Sequence, residues 1–141
     1  MEIDCIFCKI ANNQISVHKI YEDNDFLSIL DIHPVNPGHI LCITKQHIES
    51  YYDLEDKPYT KLMLLAKKMS SLIKITVKPV KVVIHTSGIG NKHTHIHVIP
   101  VNTMYDIIPK EVLEKIETNP TEQELKETQI QLLDNLHRII P

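Results

Sequence analysis

Short apolar runs, broken by charged or proline-bearing turns, set the rhythm of the first hundred residues. Val17–Tyr21 and Phe26–Leu30 flank Glu22-Asp23-Asn24-Asp25, a strand–turn–strand pattern. Asp31-Ile32-His33-Pro34-Val35-Asn36-Pro37-Gly38 then reads as a loop. His39–Thr44 follows as a strand with His39, Leu41 and Ile43 on one face and Ile40, Cys42 and Thr44 on the other. The period changes over residues 54–75. Leu62, Leu65, Ala66, Met69, Leu72 and Ile73 recur at helical steps, and Lys61, Lys67, Lys68 and Lys74 form the solvated side. Pro79 ends that helix. Val80–His85 and His93–Val101 are strands joined by a tight loop, Thr86–Lys92. These elements predict an α+β domain: an antiparallel meander sheet of about five strands with one main helix.

The pattern shifts near Pro109, which divides the chain into residues 1–108 and a C-terminal helical extension, 109–141. There Thr121 and Glu124 have capping-box spacing. Leu125, Leu132, Leu133, Leu136 and Ile139 make an apolar stripe, expected to pack on the domain or on a partner subunit.

Composition narrows the function. Only three glycines occur among 141 residues, so neither dinucleotide nor P-loop glycine fingerprints can be written. Nine histidines are the surplus polar resource. A net charge of −3 argues against a nucleic-acid binder, though not against small phosphate ligands. No apolar run approaches a membrane span, and the acidic N-terminus is unlike a signal peptide. The chain is expected to be cytoplasmic. Three cysteines do not make a disulfide framework.

His93-Thr94-His95-Ile96-His97-Val98-Ile99-Pro100 carries the chemistry. Strand alternation puts His93, His95 and His97 on one face, with Thr94, Ile96 and Val98 toward the core. Three imidazoles in a row suit a phosphoryl group: a neutral ring can attack phosphorus, and a neighbour can stabilise charge. They also suit a catalytic metal, or an anion-binding module without turnover. Cys5 and Cys8, in C-x-x-C spacing, can supply half of a zinc tetrahedron; a redox pair is the rival reading. His18, His85 and His137 have no neighbouring constellation. His33 reads as a loop residue, and Cys42 as a buried small side chain.

The His-φ-His-φ-His-φ-φ run resembles the signature of the histidine triad family, with Thr94 less apolar than usual. Cys5-Ile6-Phe7-Cys8-Lys9-Ile10, Tyr21-Glu22-Asp23, Leu30-Asp31-Ile32-His33-Pro34, Pro37-Gly38-His39-Ile40-Leu41 and Lys45-Gln46-His47-Ile48 are similar to its other segments, in order over residues 5–102. The likeness is greatest to the nucleotide-binding branch that hydrolyses adenosine phosphoramidates. It implies that His95 is the nucleophile at the α-phosphate of a purine nucleotide. His97 and His39 would meet the same phosphate, the backbone around His93 would orient His95, and Asp31 would hold the ribose. Ile6, Phe7, Ile10, Leu30 and Ile32 would line the base pocket. Bacterial members further imply a structural Cys2His2 zinc at Cys5, Cys8, His47 and His93, and a homodimer. The chain departs from the family in the loop before the triad. Where a strand-end asparagine and then Gly-Gln-[Ser/Thr]-Val are usual, it has Gly88-Ile89-Gly90-Asn91-Lys92 before His93, and the loop from His85 is shorter by about three residues. The glutamine becomes Ile89 and the hydroxyl position becomes Gly90, so the missing donor is left to the Gly90 backbone N–H or to Thr86, Ser87 or Asn91. That predicts altered leaving-group preference and slow turnover. It leaves a nucleotide-sensing or partner-binding module as the alternative function.

Overall fold

A computed structural model describes residues 4–112 and 120–140. The element order is α1 (Ile6–Ala11), β1 (Lys19–Glu22), β2 (Phe26–Leu30), β3 (Ile40–Thr44), α2 (Asp56–Thr76), β4 (Lys81–His85), β5 (His95–Val101) and, near the C-terminus, α3 (Glu122–Leu136). The α+β fold with a five-stranded antiparallel sheet is as expected. The strand order is β1-β2-β3-β5-β4. The meander thus holds for β1 to β3. The α2 crossover then carries the chain to the far edge, and β5 returns between β3 and β4.

β2 and β3 are largely apolar on both faces because both faces are covered, while β5 is apolar on one face and carries His95 and His97 on the other. Phe26, Ile40, Cys42, Ile96 and Val98 pack against Leu62, Leu65, Ala66, Met69 and Ile73 of α2. On the other face Leu27, Ile29, Leu41 and Ile43 pack against Phe7 and Ile10 of α1. In register, Ile43 lies opposite His95 and Leu41 opposite His97. The face that α1 half covers is therefore the histidine face.

Helix α1 is an element the apolar pattern does not predict. It has one and a half turns with Phe7 and Ile10 buried, and Asn13 follows it at φ 58°, a left-handed stop that asparagine tolerates. Helix α2 ends likewise at Lys78 (φ 56°), with Pro79 beyond. Gly38 (φ +96°) has no substitute: a Cβ there would meet Val77 Cγ2 at 2.7 Å. The expected strand Val17–Tyr21 becomes Lys19–Glu22, with a register shift between Lys19 and Tyr21, while Val17 packs on the α1-side core. The expected strand from His93 begins instead at His95.

The chain separates into two compact units, Met1–Ile107 and Ile108–Pro141. In the second, Thr121 and Glu124 form the expected capping box of α3. Leu125, Leu132, Leu133, Leu136 and Ile139 are exposed. No described helix is long and apolar enough to cross a membrane.

Candidate functional site

Two groups of side chains converge in the first unit. The first group is Cys5, Cys8, His47 and His93. Cys5 is the N-cap of α1 and Cys8 lies three residues on, so both thiols meet on one side of the first turn. His47 comes from the turn after β3, and His93 from the segment before β5. His93 Nδ1 lies 3.3 Å from Cys5 Sγ and 3.5 Å from Cys8 Sγ, and His47 Nδ1 lies 3.2 Å from Cys8 Sγ. A tetrahedral zinc with Zn–S of about 2.3 Å and Zn–N of about 2.05 Å has S···N edges of about 3.6 Å, so the cluster is close to ligand spacing. His93 Nε2–H donates to Thr44 O at 2.7 Å, which directs the Nδ1 lone pair at the thiols. Burial holds the His93 ring below the usual histidine pKa, so it stays neutral as a ligand must. The Cys8 thiol is pushed up to about 11 by burial and then by Cys5. A bound cation would reverse that preference.

The second group is built on β5, β3 and the loop between β2 and β3. His95 Nδ1–H donates to His93 O at 2.7 Å, leaving Nε2 as a free lone pair. The Phe7 ring lies beside it, centroids 4.8 Å apart. His97 is next along the strand, 5.0 Å between centroids. His39 Nδ1 accepts from Val35 N–H at 3.1 Å, so the His39 proton sits on Nε2. Nε2–H then donates to His97 Nδ1 at 2.9 Å, and His97 carries its own proton on Nε2. Asp31 stands behind the pair, its Oδ2 3.6 Å from His39 Nε2 and 3.7 Å from His97 Nδ1. Its Oδ1 accepts from His33 N–H, which fixes the carboxylate. Burial, reinforced by His95 and His39, lowers the His97 pKa to about 4, and burial lowers His39 as well against the pull of Asp31.

Asp31, His39 and His97 also bring their ligand atoms together closely enough to suggest a metal. The partners of the other ring nitrogens separate the two groups. A metal-bound imidazole needs an acceptor for its remaining N–H. His93 has one in Thr44 O. His39 instead faces a donor, Val35 N–H, and metal on its Nε2 would set two N–H groups against each other. The donor chemistry therefore fits a metal at the cysteine cluster and opposes one at Asp31.

The residues expected around a base are distributed unevenly. Ile6 and Ile32 are exposed, whereas Phe7 and Ile10 are buried in the core on the histidine face. Leu30 is a correction: it packs with the α2-side cluster, on the opposite face from His95, and Ile29 stands on the histidine face instead. Gly90 is exposed, with nothing within 4 Å of a built Cβ, and lines a cleft with Cys5, Ile6 and His47. His85 corrects the sequence reading too. It lies opposite His97 in the β4–β5 ladder, ring centroids 5.8 Å apart. Strand pairing could have found it, since both strands were legible, but their register was not. Cys42 is buried, as expected.

Among known proteins, the model of the HIT domain matches residues 12–104. An uncharacterized HIT-like protein of Borreliella burgdorferi is 39% identical over 69% of this chain and 75% of its own length. The adenosine 5'-monophosphoramidase HNT1 of Saccharomyces cerevisiae is 32% identical over 71% of this chain and 64% of its own. A crystal structure of a zinc-bound histidine triad family protein from Mycobacterium smegmatis superposes with a TM-score of 0.63 at 26% identity, covering 72% of this chain and 78% of that one.

Proposed function

The chain belongs to the HIT domain family, and from that premise we propose that it is a nucleotide hydrolase or transferase. It would cleave purine nucleoside phosphoramidates and related nucleotides at the α-phosphate, through a nucleotidyl group on His95. The observation that carries this reading is the pairing of tautomers. His95 offers a bare Nε2, held by its bond to His93 O, beside a His97 whose Nε2 is a donor. Nε2 of His95 forms the bond to phosphorus as the bond to the leaving nitrogen breaks. That nitrogen keeps the electron pair and takes a proton from solvent. Water then attacks phosphorus, the N–P pair returns to His95, and the water proton goes to solvent. His97 Nε2–H stabilises the phosphoryl oxygens, His39 holds His97 in that tautomer, and Asp31 holds the ribose hydroxyls as an acceptor. Ile6 and Ile32 flank the base, with Phe7 and Ile10 as its floor, and Gly90 gives its backbone N–H.

Zinc at Cys5, Cys8, His47 and His93, as in bacterial members of the family, would close a structural Cys2His2 site. The metal supplies only cross-linking there, since four protein donors leave no open position. Residues 1–108 form the catalytic domain and 109–141 an extension. The protein acts as a homodimer in the cytoplasm, where three unpaired thiols are at home. One observation favours the second reading, a nucleotide sensor with weak turnover: Ile89 and Gly90 bring no polar side chain to the loop before the triad.

Incubation with adenosine 5'-phosphoramidate tests both. AMP release with an adenylyl adduct on His95, absent from His95→Ala, is the expected result. AMP binding without adduct or turnover establishes the sensor. Neither binding nor turnover overturns both readings.

A further inference from the structure

The tautomer of His39 is set from a loop, and a loop keeps its place only where something ties it down. The segment between β2 and β3, residues 31–38, carries Asp31 at one end. Near the other end Val35 N–H donates to His39 Nδ1 at 3.1 Å. Two of its ties run to the backbone of His39: Asp31 N–H donates to His39 O, and Asn36 O accepts from His39 N–H. Another tie runs past β3 altogether. The Asn36 amide nitrogen has two hydrogens and two acceptors, Pro100 O and Asp106 Oδ2, each at 3.0 Å. We propose that Asn36 and Asp106 are a positioning pair for the nucleotidyl-transfer site: they hold Val35 N–H against His39 and thereby fix the His97 proton on Nε2. The inference rests on the nucleotidyl-transfer reading of His95 and deepens it, adding two residues that act only through others.

Asp106 is itself anchored. It ends a one-turn helix, Met104–Asp106, that follows β5. Its Oδ2 also accepts from Asn102 N–H at 2.7 Å and Thr103 N–H at 3.2 Å, and its Oδ1 from the Thr103 hydroxyl at 3.2 Å. The N–H groups of Asn102 and Thr103, with the Asn36 amide behind them, hold the carboxyl below the usual aspartate range. Near neutral pH it is therefore an ion that can only accept. Fixed on the β5 side beside Pro100 O, it turns the nitrogen of the Asn36 amide toward both oxygens. The chain at Val35 and Asn36 then has little freedom left. The Asn36 side chain is clamped, its carbonyl is bonded to His39 N–H, and Pro37 restricts the next φ.

What the clamp protects is a single proton. A neutral imidazole carries one, and Val35 N–H on Nδ1 forces that of His39 onto Nε2. If Val35 moves away, the proton can sit on Nδ1 instead. The lone pairs of His39 Nε2 and His97 Nδ1 would then oppose each other across 2.9 Å. His97 relieves this by shifting its own proton to Nδ1, which strips the donor from Nε2, where the phosphoryl oxygens are met. His95 is untouched, since its Nδ1–H goes to His93 O. Asn36 and Asp106 stand 70 residues apart in the chain, so only the fold joins them.

The full-length protein, with zinc supplied and its histidines isotope-labelled, is examined by long-range proton–nitrogen correlation spectra near neutral pH. These read the tautomer of each ring without substrate. Single-turnover labelling of His95 by adenosine 5'-phosphoramidate reads the rate. The wild type should show Nε2–H at His39 and His97 and Nδ1–H at His95. Asn36→Ala and Asp106→Ala should each mix the tautomers of His39 and His97, leave His95 as it was and slow labelling about tenfold, as for a preorganised donor partly lost. The double variant should be no slower than the worse single one by more than about twofold, because the two act as one unit. Asp106→Asn keeps an acceptor for Asn36 and should hold the wild-type tautomers, with labelling within about threefold. Wild-type tautomers in both alanine variants, or mixed tautomers with an unchanged labelling rate, overturn the proposal, as does a wild type with the His39 proton on Nδ1. A wild type that never labels His95 overturns the nucleotidyl-transfer reading instead; the spectra of the resting protein still decide whether the pair holds the tautomer.

Discussion

His93, His95 and His39 are one side chain in three hydrogen-bonding settings. The setting, more than the residue type, assigns the chemistry. His93 gives Nε2–H to Thr44 O and turns Nδ1 to the thiols; His95 gives Nδ1–H to His93 O and keeps Nε2 bare. His39 receives Val35 N–H and becomes a donor toward His97. Replacing His39 by Phe leaves the His97 tautomer unfixed. The expected result is a kcat lower by about 10- to 100-fold with AMP affinity nearly unchanged, as for loss of one preorganised contact; steady-state kinetics and calorimetric AMP titration check it. The depressed pKa of His97, about 4 in the fold, has a consequence for stability. The unfolded chain takes up this proton near 6.5, while the folded one resists until about 4, so the unfolded state binds more protons in that window. Stability therefore falls as pH drops from 6.5 to 4 and levels off below. Urea melts of His97→Asn should show a shallower fall across the same window, by an amount on the order of 1–3 kcal/mol at its acid end. A slope equal to wild type would remove His97 as the cause.

At the scale of elements, the cysteine cluster joins three pieces: α1, the turn after β3 and the entry to β5. A short helix of this length is marginal by itself, and Phe7 and Ile10 are the buried side chains that fasten it. Metal removal should therefore free α1 before the sheet melts. Cys8→Ser is expected to lose the bound zinc and to expose residues 4–14 to protease, whereas His95→Ala keeps one zinc per chain. Metal analysis and limited proteolysis decide this, and zinc that leaves with His95 but stays without Cys8 would place the metal on the triad. The same cluster explains why β5 starts late. His93 turns its ring to the thiols and Thr44, while Thr94 N–H goes to Ile48 O, and both leave the ladder to do so. Strands β2 and β3 were legible because charged or proline-bearing segments bound compact apolar runs. Helix α1 was not, since two apolar contacts in six residues give no period to detect. Leu30 shows the cost of strand parity: assigning the pocket one residue away from Ile29 moves the side chain to the opposite face.

At the scale of the molecule, the chain order of motifs made the family and the two candidate sites legible, because each ligand or nucleophile lies on a short segment with its own signature. What sequence left hidden is what register decides. His85 lies eight residues before His93, yet its partner is His97, four beyond. Only the closing of the β4–β5 ladder makes that pairing. The division near residue 108 is a similar matter of contacts. Every ligand of the cysteine cluster, every imidazole of the histidine face and Asp31 fall within Met1–Ile107, and the matched family segment ends at residue 104. Helix α3 has its own capping box but buries none of its side chains. A chain ending at Ile108 should therefore keep its zinc and form the His95 adduct at a rate within about threefold of the full chain, because sites on rigid strands of one unit do not draw on another. Zinc analysis and single-turnover labelling of the truncated protein are the measurement. A truncated chain that folds by circular dichroism and binds zinc, yet labels more than tenfold slower, would show that the extension completes the catalytic site. That outcome would move α3 from an appendage to a part of the nucleotide site.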